Sequence, residues 1–422
     1  MELCISPRGL SGEVEAIASK SQAHRLLICA ALSGESHTIL CRETSQDIDA
    51  TARCLAAMGH IVRREADGFS VLKGERKEAA WADCGESGST LRFLLPVAGA
   101  MGLSTRFLLS GRLPKRPLSP LWEELEAHGV KLWWEKENVL VSEGQLAGGT
   151  YTLSGDVSSQ FISGLLFALP LLEADSRLVL TGKLESAQYV EMTLDVLRRF
   201  GIRIEREGEI WHIPGRQQYQ NTGGALLPVE GDWSNAAFFL AAGALGDGIT
   251  LKGLSVDSLQ GDKEIYRLLT AFGAQVKAEK DGICVKKAPL TALDIDAMQI
   301  PDLVPILAVI AAAATGTTRI YGAKRLRLKE SDRLRTVCEM LSQLGGEIQE
   351  TEDGLLITGG APLKGGCVDS AGDHRICMAA AIASILCKEK VYIQGAEAVQ
   401  KSYPGFWQQF QILGGESKEV VR

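Results

Sequence analysis

The pattern of apolar and polar residues repeats six times along the chain. Five amphipathic segments carry a leucine four residues before a glycine, and a sixth carries a phenylalanine in that place. The glycines are Gly59, Gly129, Gly201, Gly273, Gly345 and Gly414, and successive ones are 69 to 72 residues apart. A glycine after an amphipathic run is typical of a helix that ends in the left-handed conformation. Each copy therefore predicts a helix followed by half-buried strands, such as 130–132 and 202–204.

A second helical segment, apolar on nearly all sides, lies between successive glycines. Its six copies span residues 21–32, 89–100, 159–172, 232–245, 301–314 and 373–386, each before a short strand. Helices that are apolar all round are buried. The repeat is longer than that of common solenoids, so we predict an α/β protein of six small units grouped into domains. The polar stretch 217–228 favours a boundary near the midpoint.

Composition argues against several classes of function. The 422 residues include 45 Lys and Arg against 52 Asp and Glu, a formal net charge of −7. The chain therefore lacks the basic excess of a nucleic-acid or membrane-surface binder. Its longest apolar run, 306–314, is far shorter than the roughly 20 residues of a membrane span. The first residues do not follow the pattern of a signal peptide, which favours a cytoplasmic location.

Cysteine and histidine spacing predicts no metal site. The ten cysteines are irregularly spaced without a Cys-x-x-Cys pair, and the six histidines show no His-x-x-x-His pattern. These spacings are typical of reduced, mostly buried thiols rather than of zinc ligands. We therefore expect no metal ion and no cofactor.

The starts of the predicted buried helices combine ordinary capping residues with cations. Lys20, Arg25, Arg92 and Arg375 lie within the first two turns. Serine or aspartate at a helix start is expected for capping alone, but a cation there opposes the helix dipole. An anionic ligand bound at these helix starts accounts for both features.

Three further basic segments have the same character. The run 324–335 holds six cations and two acids, and shorter basic segments lie at 115–117 and 401–404. A charge run is commonly just a solvated helix face, so each segment by itself is weak evidence for a site.

Taken together, these segments resemble the 5-enolpyruvylshikimate-3-phosphate (EPSP) synthases from end to end of the chain. The most specific match is the run 329–333, Lys-Glu-Ser-Asp-Arg, followed by Asp-His-Arg at 373–375. The other matching segments are Lys20-Ser21 with Arg25, Ser87-Gly88-Ser89 with Arg92, Arg116-Pro117, Ser158-Ser159-Gln160, Ser186 with Tyr189, Asp232, Pro301-Asp302 and Lys401-Ser402-Tyr403-Pro404.

The resemblance implies a two-domain inverse α/β barrel, with three repeats in each domain, buried helices inside and sheets outside. It implies an N-terminal domain over 19–229 that mainly binds shikimate 3-phosphate. The C-terminal domain would comprise 1–18 and 230–422 and hold much of the phosphoenolpyruvate site, with the active site in the interdomain cleft. A monomer is expected, with phosphoenolpyruvate and shikimate 3-phosphate as its small-molecule partners and with neither a nucleic-acid nor a membrane partner.

The implied reaction transfers the enolpyruvyl group of phosphoenolpyruvate to the 5-hydroxyl of shikimate 3-phosphate, releases phosphate, and serves aromatic amino acid biosynthesis. The residues implied for shikimate 3-phosphate are Lys20, Ser21, Arg25, Ser158, Ser159, Gln160, Ser186, Tyr189, Asp302 and Lys329. Those implied for phosphoenolpyruvate are Lys20, Gly88, Arg116, Gln160, Arg333, Arg375 and Lys401. Both substrates carry a phosphate and a carboxylate, so cations are expected locally despite the negative net charge.

Three residues resemble the catalytic groups of the family. Asp302 matches the group that takes the hydroxyl proton, Glu330 the group that serves the methylene carbon, and Lys20 a cation that assists phosphate departure. Addition followed by elimination requires such proton transfers. Two departures from the family pattern are Glu86 and Arg325, each in a place where many members carry asparagine.

Alternative functions differ in features that the sequence displays. A UDP-N-acetylglucosamine enolpyruvyl transferase relies on a cysteine in the loop before its Arg-Pro, and the loop 111–115 has none. An inactive phosphate-ligand binding module has no need of Asp302 and Glu330 beside anionic ligands. A nucleic-acid binder of the kind that stacks bases on aromatic side chains is disfavoured, because the aromatic content is only 6%.

Overall fold

The computed structural model describes residues 1–75 and 77–420. These residues form two compact units. The N-terminal unit comprises 18–229, and the C-terminal unit comprises 1–17 together with the described residues from 230 onward. Each unit has its own hydrophobic core.

The chain begins with two strands, β1 (Glu2–Ser6) and β2 (Ser11–Glu15), that belong to the C-terminal unit. The sheet pairing gives the reason, because β1 lies antiparallel to Val391–Gln394 and Glu416–Glu419, and β2 lies parallel to Gly248–Lys252. The first strands thus complete two sheets whose other strands come from the second half of the sequence.

The N-terminal unit contains three copies of the predicted repeat. Its helices are α1 (Lys20–Ser33), α2 (Gln46–Ala57), α3 (Gly88–Ala100), α4 (Leu121–Ala127), α5 (Ser159–Ala168) and α6 (Ala187–Arg199). Its strands are β3 (His37–Leu40), β4 (Ile61–Glu65), β5 (Gly68–Leu72), β6 (Ala79–Gly85), β7 (Ser104–Leu109), β8 (Val130–Lys136), β9 (Val139–Gly144), β10 (Thr150–Ser154), β11 (Ser176–Thr181), β12 (Glu205–Glu207), β13 (Ile210–Ile213) and β14 (Leu226–Pro228). They form four-stranded sheets in the orders β14-β3-β5-β4, β6-β7-β9-β8 and β10-β11-β13-β12.

The C-terminal unit repeats this arrangement. Its helices are α7 (Trp233–Leu245), α8 (Ile265–Phe272), α9 (Val304–Ala313), α10 (Arg333–Gln343), α11 (His374–Ala383) and α12 (Phe406–Ile412). Its further strands are β15 (Gly248–Lys252), β16 (Gln275–Glu279), β17 (Gly282–Lys286), β18 (Asp294–Asp296), β19 (Gly316–Tyr321), β20 (Glu347–Glu350), β21 (Leu355–Gly359), β22 (Gly366–Asp369), β23 (Val391–Gln394) and β24 (Glu416–Glu419). Their sheet orders are β16-β17-β15-β2, β18-β19-β21-β20 and β22-β23-β1-β24.

The two predicted helix types are both present in every repeat. The all-apolar segments form α1, α3, α5, α7, α9 and α11, whose residues are almost entirely buried. The amphipathic segments form the other six helices, and all six glycines that end them have positive φ, from 74° at Gly201 to 113° at Gly273. The left-handed conformation favours glycine because it lacks Cβ.

The predicted helix limits differ from the observed ones where the backbone tightens into 3₁₀ turns. Pro301–Leu303 form such a turn before α9, and Leu169–Leu171 form one after α5. Pro170 has no backbone N–H to continue the α-helical ladder, which explains the change after α5. Among the described residues, no helix is long and apolar enough to cross a membrane.

Candidate active site

Serine residues cap the three buried helices of the N-terminal unit. The side chains of Ser19, Ser87 and Ser158 accept hydrogen bonds from the backbone N–H groups of Gln22, Thr90 and Gln160. The predicted site residues Lys20, Gly88 and Ser159 are therefore the first helical residues, where backbone N–H groups have no intrahelical partner. This position suits an anionic ligand.

A buried chain of hydrogen bonds joins the starts of α1, α2 and α3. The His24 Nδ1 atom lies 2.7 Å from the Thr51 hydroxyl, Thr51 lies 2.7 Å from Thr90, and Thr90 donates to Ser87 Oγ at 2.7 Å. Burial lowers the pKa of His24 to about 3, so the ring is neutral at pH 7. The chain ties the helix starts together by uncharged groups, and the sequence did not predict it.

Lys20 lies in an ion pair with an acid that the sequence analysis did not identify. Its Nζ atom is 2.9 Å from Asp47 Oδ2, and the two side chains are 18% and 7% exposed. Asp47 lies in the first turn of α2, where an acid is expected for the helix dipole alone. Because the helix dipole alone explains an acid at this position, the sequence did not indicate that Asp47 is the ion-pair partner of Lys20.

Arg25 is held on all sides by protein groups. Its Nε donates to Thr193 Oγ1 at 2.9 Å, and its two terminal nitrogens donate to the carbonyls of Ser21 at 2.6 Å and Tyr189 at 2.7 Å. The residue is 2% exposed, and burial lowers the pKa of Arg25 to about 10. In this structure Arg25 joins α1 to the start of α6, and its contact with a substrate stays a prediction.

A second cluster of the N-terminal unit forms around Arg92. The Arg92 guanidinium donates to Gln160 Oε1 at 2.7 Å, and Gln160 Nε2 donates to Ser89 Oγ at 2.8 Å. Gly88 lies against the same group: a Cβ atom there would be 2.9 Å from Arg116 Nη1 and 3.2 Å from Arg92 Nη1. The absence of a side chain at residue 88 thus allows two guanidinium groups to approach one helix start.

Ser186 has a strained backbone at the start of α6. Its φ of 53° and ψ of 45° lie in the left-handed region, and the residue is 3% exposed. A non-glycine residue in this conformation costs about 1–2 kcal/mol, and such strain clusters at functional sites. The contact of Ser186 with a substrate stays a prediction.

Arg333 is the centre of the candidate site in the C-terminal unit. Its Nε donates to Asp373 Oδ2 at 2.8 Å, Nη1 donates to Asp302 Oδ1 at 2.8 Å, and Nη2 donates to Glu330 Oε2 at 2.7 Å. The Arg333 side chain is 1% exposed. Burial opposes its charge, but the three carboxylates raise the pKa of Arg333 above its ordinary value.

Asp302 faces three cations from two different segments. Its carboxylate lies 2.8 Å from Arg333 Nη1, 3.3 Å from Lys329 Nζ and 3.4 Å from Arg375 Nη2. Burial acts to raise the pKa of Asp302, but Arg375, Lys329 and Arg333 outweigh it and hold that pKa well below its ordinary value. Burial lowers the pKa of Lys329 to about 8, although Asp302 opposes the shift.

Aspartates cap two of the three buried helices in the C-terminal unit. Asp232 caps α7 by accepting from Asn235 N–H at 2.7 Å, and Asp373 caps α11 by accepting from Arg375 N–H at 3.0 Å. Asp373 therefore both caps a helix and pairs with Arg333. Lys401 is 7% exposed and ends the 3₁₀ helix Ala396–Lys401.

The charge run 324–335 divides between the surface and the candidate site. Lys324, Arg327 and Arg335 pair with acids at the protein surface, as expected for a solvated face. Lys329 and Arg333 instead lie with Asp302. The run therefore divides into a solvated face and a cluster around Asp302, and the binding of substrates by Lys329 and Arg333 stays a prediction.

The two departures from the family pattern have local contacts. Glu86 lies against Gly111, because a Cβ at Gly111 would overlap the Glu86 carboxylate. Arg325 donates to the carbonyl of Met298 at 2.8 Å. The two residues lie in different units.

A cavity of about 890 Å³ in the N-terminal unit lies away from the predicted residues. It is lined by residues at the C-terminal ends of the buried helices, including Ala31, Ala100 and Leu171, and by none of the predicted site residues. Within 1–75 and 77–420, no group of three or more His, Cys, Asp or Glu residues has the arrangement of a metal site. Six of the ten cysteines are buried and all ten are free thiols.

Comparison with known proteins decides the family. A family model described as EPSP synthase (3-phosphoshikimate 1-carboxyvinyltransferase) matches residues 6–410. The chain belongs to the EPSP synthase family. Among curated relatives named 3-phosphoshikimate 1-carboxyvinyltransferase, that of Clostridium perfringens is 43% identical over 422 residues, covering 98% of each chain. That of Clostridium acetobutylicum is 44% identical over 423 residues, again covering 98% of each.

Solved structures bear out the fold expected for an EPSP synthase. The EPSP synthase of Acinetobacter baumannii has a TM-score of 0.82 at 24% identity, covering 99% of this chain and all of that one. The enolpyruvyl transferase NikO of Streptomyces tendae has a TM-score of 0.77 at 17% identity, covering 99% of this chain and 98% of that one. The predicted inverse α/β barrel fold is thereby confirmed.

Proposed function

We propose that the chain catalyses the reaction of the EPSP synthase family with the residues predicted from its sequence. The reaction transfers the enolpyruvyl group of phosphoenolpyruvate to the 5-hydroxyl of shikimate 3-phosphate and releases phosphate, a step of aromatic amino acid biosynthesis. Family membership over residues 6–410 and relatives of this name at 43% identity support the activity.

The observation that carries the residue assignment is that three carboxylates surround the buried Arg333 guanidinium. A guanidinium that is 1% exposed donates at least one hydrogen bond to each of Asp302, Glu330 and Asp373. An anionic substrate that enters this site replaces these carboxylates as hydrogen-bond partners of the cations. The carboxylates therefore stabilise the buried cations before the substrate binds. Guanidinium groups also suit phosphate and carboxylate oxygens by their fixed donor geometry.

Residues of both units contribute to both substrates in this proposal. Shikimate 3-phosphate is bound by Lys20, Ser21, Arg25, Ser158, Ser159, Gln160, Ser186, Tyr189, Asp302 and Lys329. Phosphoenolpyruvate is bound by Lys20, Gly88, Arg116, Gln160, Arg333, Arg375 and Lys401. The N-terminal unit mainly serves the first substrate, and the C-terminal unit provides much of the site for the second.

Asp302 is the group that removes the proton from the attacking hydroxyl. Three cations hold the pKa of Asp302 well below the ordinary value, which makes it a weak base. Substrate phosphates and carboxylates bind Lys329, Arg333 and Arg375 and thereby cancel that positive field. Asp302 therefore gains basicity when both substrates are present, which couples proton transfer to complete binding.

Glu330 and Lys20 complete the proton and charge transfers. Glu330 lies 2.7 Å from Arg333 Nη2, and it serves the methylene carbon once Arg333 has turned to phosphoenolpyruvate. The methylene carbon gains a proton in the addition step and loses one in the elimination step. Lys20 then stabilises the departing phosphate, and the ion pair with Asp47 at 2.9 Å holds its ammonium group in place.

The test is the release of phosphate from phosphoenolpyruvate by purified protein with each of two acceptors. Release with shikimate 3-phosphate and none with UDP-N-acetylglucosamine is expected, since residues 111–115 contain no cysteine. Release with neither acceptor, while calorimetry still detects shikimate 3-phosphate binding, would leave only a binding module.

Location and assembly complete the proposal. We place the protein in the cytoplasm, because both substrates are charged phosphate esters that membranes retain inside cells. A monomer stays the prediction for the oligomeric state, and light scattering coupled to gel filtration tests it.

A further inference from the structure

Thr193 lies in α6 and is assigned to neither substrate above. Its hydroxyl oxygen lies 2.9 Å from Arg25 Nε, 3.0 Å from the Tyr189 carbonyl oxygen and 2.8 Å from Ser163 Oγ. Thr193 and Ser163 are fully buried, and Arg25 is 2% exposed. One hydroxyl on α6 thus connects α1, which carries Arg25, with α5, which carries Ser163.

The directions of these hydrogen bonds follow from the number of protons. A hydroxyl has one proton and two lone pairs, a carbonyl oxygen only accepts, and a guanidinium only donates. Thr193 donates its proton to the Tyr189 carbonyl, so its two lone pairs accept from Arg25 Nε and from the Ser163 hydroxyl. The Thr193 hydroxyl therefore makes all the hydrogen bonds that a hydroxyl can form.

Thr270 shows what a threonine in a helix ordinarily does. Its hydroxyl donates to the Tyr266 carbonyl, four residues earlier, at 3.0 Å, and the residue is exposed. Such a bond is common for threonine in helices, and Thr193 makes it at the same distance. Thr193 differs because it also accepts from a buried guanidinium and from a second hydroxyl. The stability of α6 does not require these two additional bonds.

Among the described residues, Arg25 is held by uncharged groups. Besides the bond to Thr193, its Nη1 donates to the Ser21 carbonyl at 2.6 Å and its Nη2 to the Tyr189 carbonyl at 2.7 Å, and its Cζ lies 5.2 Å from the centre of the Phe93 ring. A guanidinium has five N–H groups, so these bonds leave one on each terminal nitrogen. Two such N–H groups can bind two oxygens of one phosphate or carboxylate.

On this arrangement, which rests on the proposed function, we propose that Thr193 is a positioning residue that, supported by Ser163, orients the Arg25 guanidinium for shikimate 3-phosphate. Of the three hydrogen-bond acceptors of Arg25, Thr193 is the one that acts through its side chain. A hydroxyl holds the cation without cancelling its charge, as a carboxylate would. Without the hydroxyl, the buried Nε–H group loses its acceptor and the guanidinium turns toward another one. That turn moves the two remaining N–H groups away from the substrate.

The test measures the affinity for shikimate 3-phosphate by calorimetry, and both KM values and kcat by phosphate release. Thr193→Val keeps the shape of the side chain and removes the hydroxyl, whereas Thr193→Ser keeps the hydroxyl. Thr270→Val is the matched control, because it removes the same bond to the carbonyl four residues earlier.

Thr193→Val should weaken the binding of shikimate 3-phosphate about tenfold, less than the roughly hundredfold that a 1 Å misplacement costs. Thr193→Ser and Thr270→Val should stay within about twofold of wild type, the scatter of an unaffected site. The KM for phosphoenolpyruvate with shikimate 3-phosphate saturating, and kcat, should change less than about twofold in Thr193→Val, because the loss of uniform binding raises only the KM of the substrate concerned.

Ser163→Ala separates a support that acts through Thr193 from an independent defect. It should weaken the binding of shikimate 3-phosphate by itself and add little in the Thr193→Val background. Effects of the two substitutions that multiply, or equal rises in both KM values, would overturn the inference. So would unchanged binding of shikimate 3-phosphate by a folded Thr193→Val protein, or binding by Thr193→Ser as weak as that by Thr193→Val.

Two further results keep the inference separate from protein folding and from the proposed function. Should Thr193→Val fail to fold in a thermal melt, Thr193→Cys decides by the same measurements, because a thiol is only a weak acceptor. Wild-type protein that binds shikimate 3-phosphate but releases no phosphate would overturn the proposed function, and calorimetry would still decide the role of Thr193.

Discussion

Replacement of Gly88 by alanine tests how the first turn of α3 admits two guanidinium groups. The added Cβ would lie 2.9 Å from Arg116 Nη1 and 3.3 Å from Arg116 Cζ. Optimal non-bonded contacts lie at about 3.5–4.0 Å, so the end of the Arg116 side chain must move by about half an ångström or more. The atom that moves is the far end of a flexible side chain, so the fold tolerates the change.

The displacement is expected to affect one substrate only. Arg116 is assigned to phosphoenolpyruvate, and an error of about 1 Å in a positioning group costs up to about a hundredfold. We expect the KM for phosphoenolpyruvate to rise about 10- to 100-fold on that scale. The KM for shikimate 3-phosphate should stay within about twofold, and the melting temperature should not fall, because alanine favours a helix over glycine by up to about 1 kcal/mol.

The assay is steady-state phosphate release with one substrate varied and the other saturating, alongside a thermal melt. Gly223→Ala serves as the control, because Gly223 is exposed and its nearest neighbouring atom would be 3.5 Å from the new Cβ. An unchanged KM for phosphoenolpyruvate in a stable Gly88→Ala protein would refute the reasoning, and so would an equal rise in both KM values.

Three further substitutions test the packing, the buried hydrogen bonds and the strained backbone. Gly164→Ala places a Cβ 2.2 Å from the Arg92 carbonyl oxygen, and urea unfolding should show a loss of at least about 2 kcal/mol, as for an overpacked core; an unchanged midpoint would contradict this. His24 stays neutral in the fold while the unfolded chain protonates below pH 6.5, so wild-type stability should fall by up to about 1.4 kcal/mol per pH unit there through this group. His24→Asn should remove that part of the slope in urea titrations between about pH 4.5 and 6.5, the range above its folded pKa; an identical slope would exclude His24 as its source. Ser186→Gly relieves a φ of 53° and should stabilise the protein by about 0.5–1 kcal/mol while raising the KM for shikimate 3-phosphate, and an unchanged KM would remove Ser186 from the site.

The helices and their ends could be predicted because their signals are local. Capping, amphipathic spacing and the glycines from Gly59 to Gly414 act within a few residues of the structure they determine. The sheets were harder, since β1 pairs with strands nearly 390 and more than 410 residues away. No local pattern in residues 2–6 indicates those partners, and only the family resemblance predicted the crossing.

The candidate site was predictable in its residue types but not in its contacts. Cations at helix starts contradict the helix dipole, and that contradiction identified Lys20 and Arg375. The acids that hold them, Asp47 and Asp302, lie 27 and 73 residues away in sequence.

The central claim is that Asp302 removes the substrate proton, and single-turnover phosphate release by Asp302→Asn tests it most directly. Asparagine keeps the size of the side chain but cannot accept the proton, so the rate with both substrates saturating should fall about 10²- to 10⁴-fold. Asp296→Asn is the matched control, because Asp296 is exposed and its Oδ1 accepts from Met298 N–H, which asparagine can still do. The account predicts near wild-type release by the control and loss in Asp302→Asn with binding of both substrates retained. A turnover rate in Asp302→Asn within about threefold of wild type, far from the loss expected for a missing base, would contradict it.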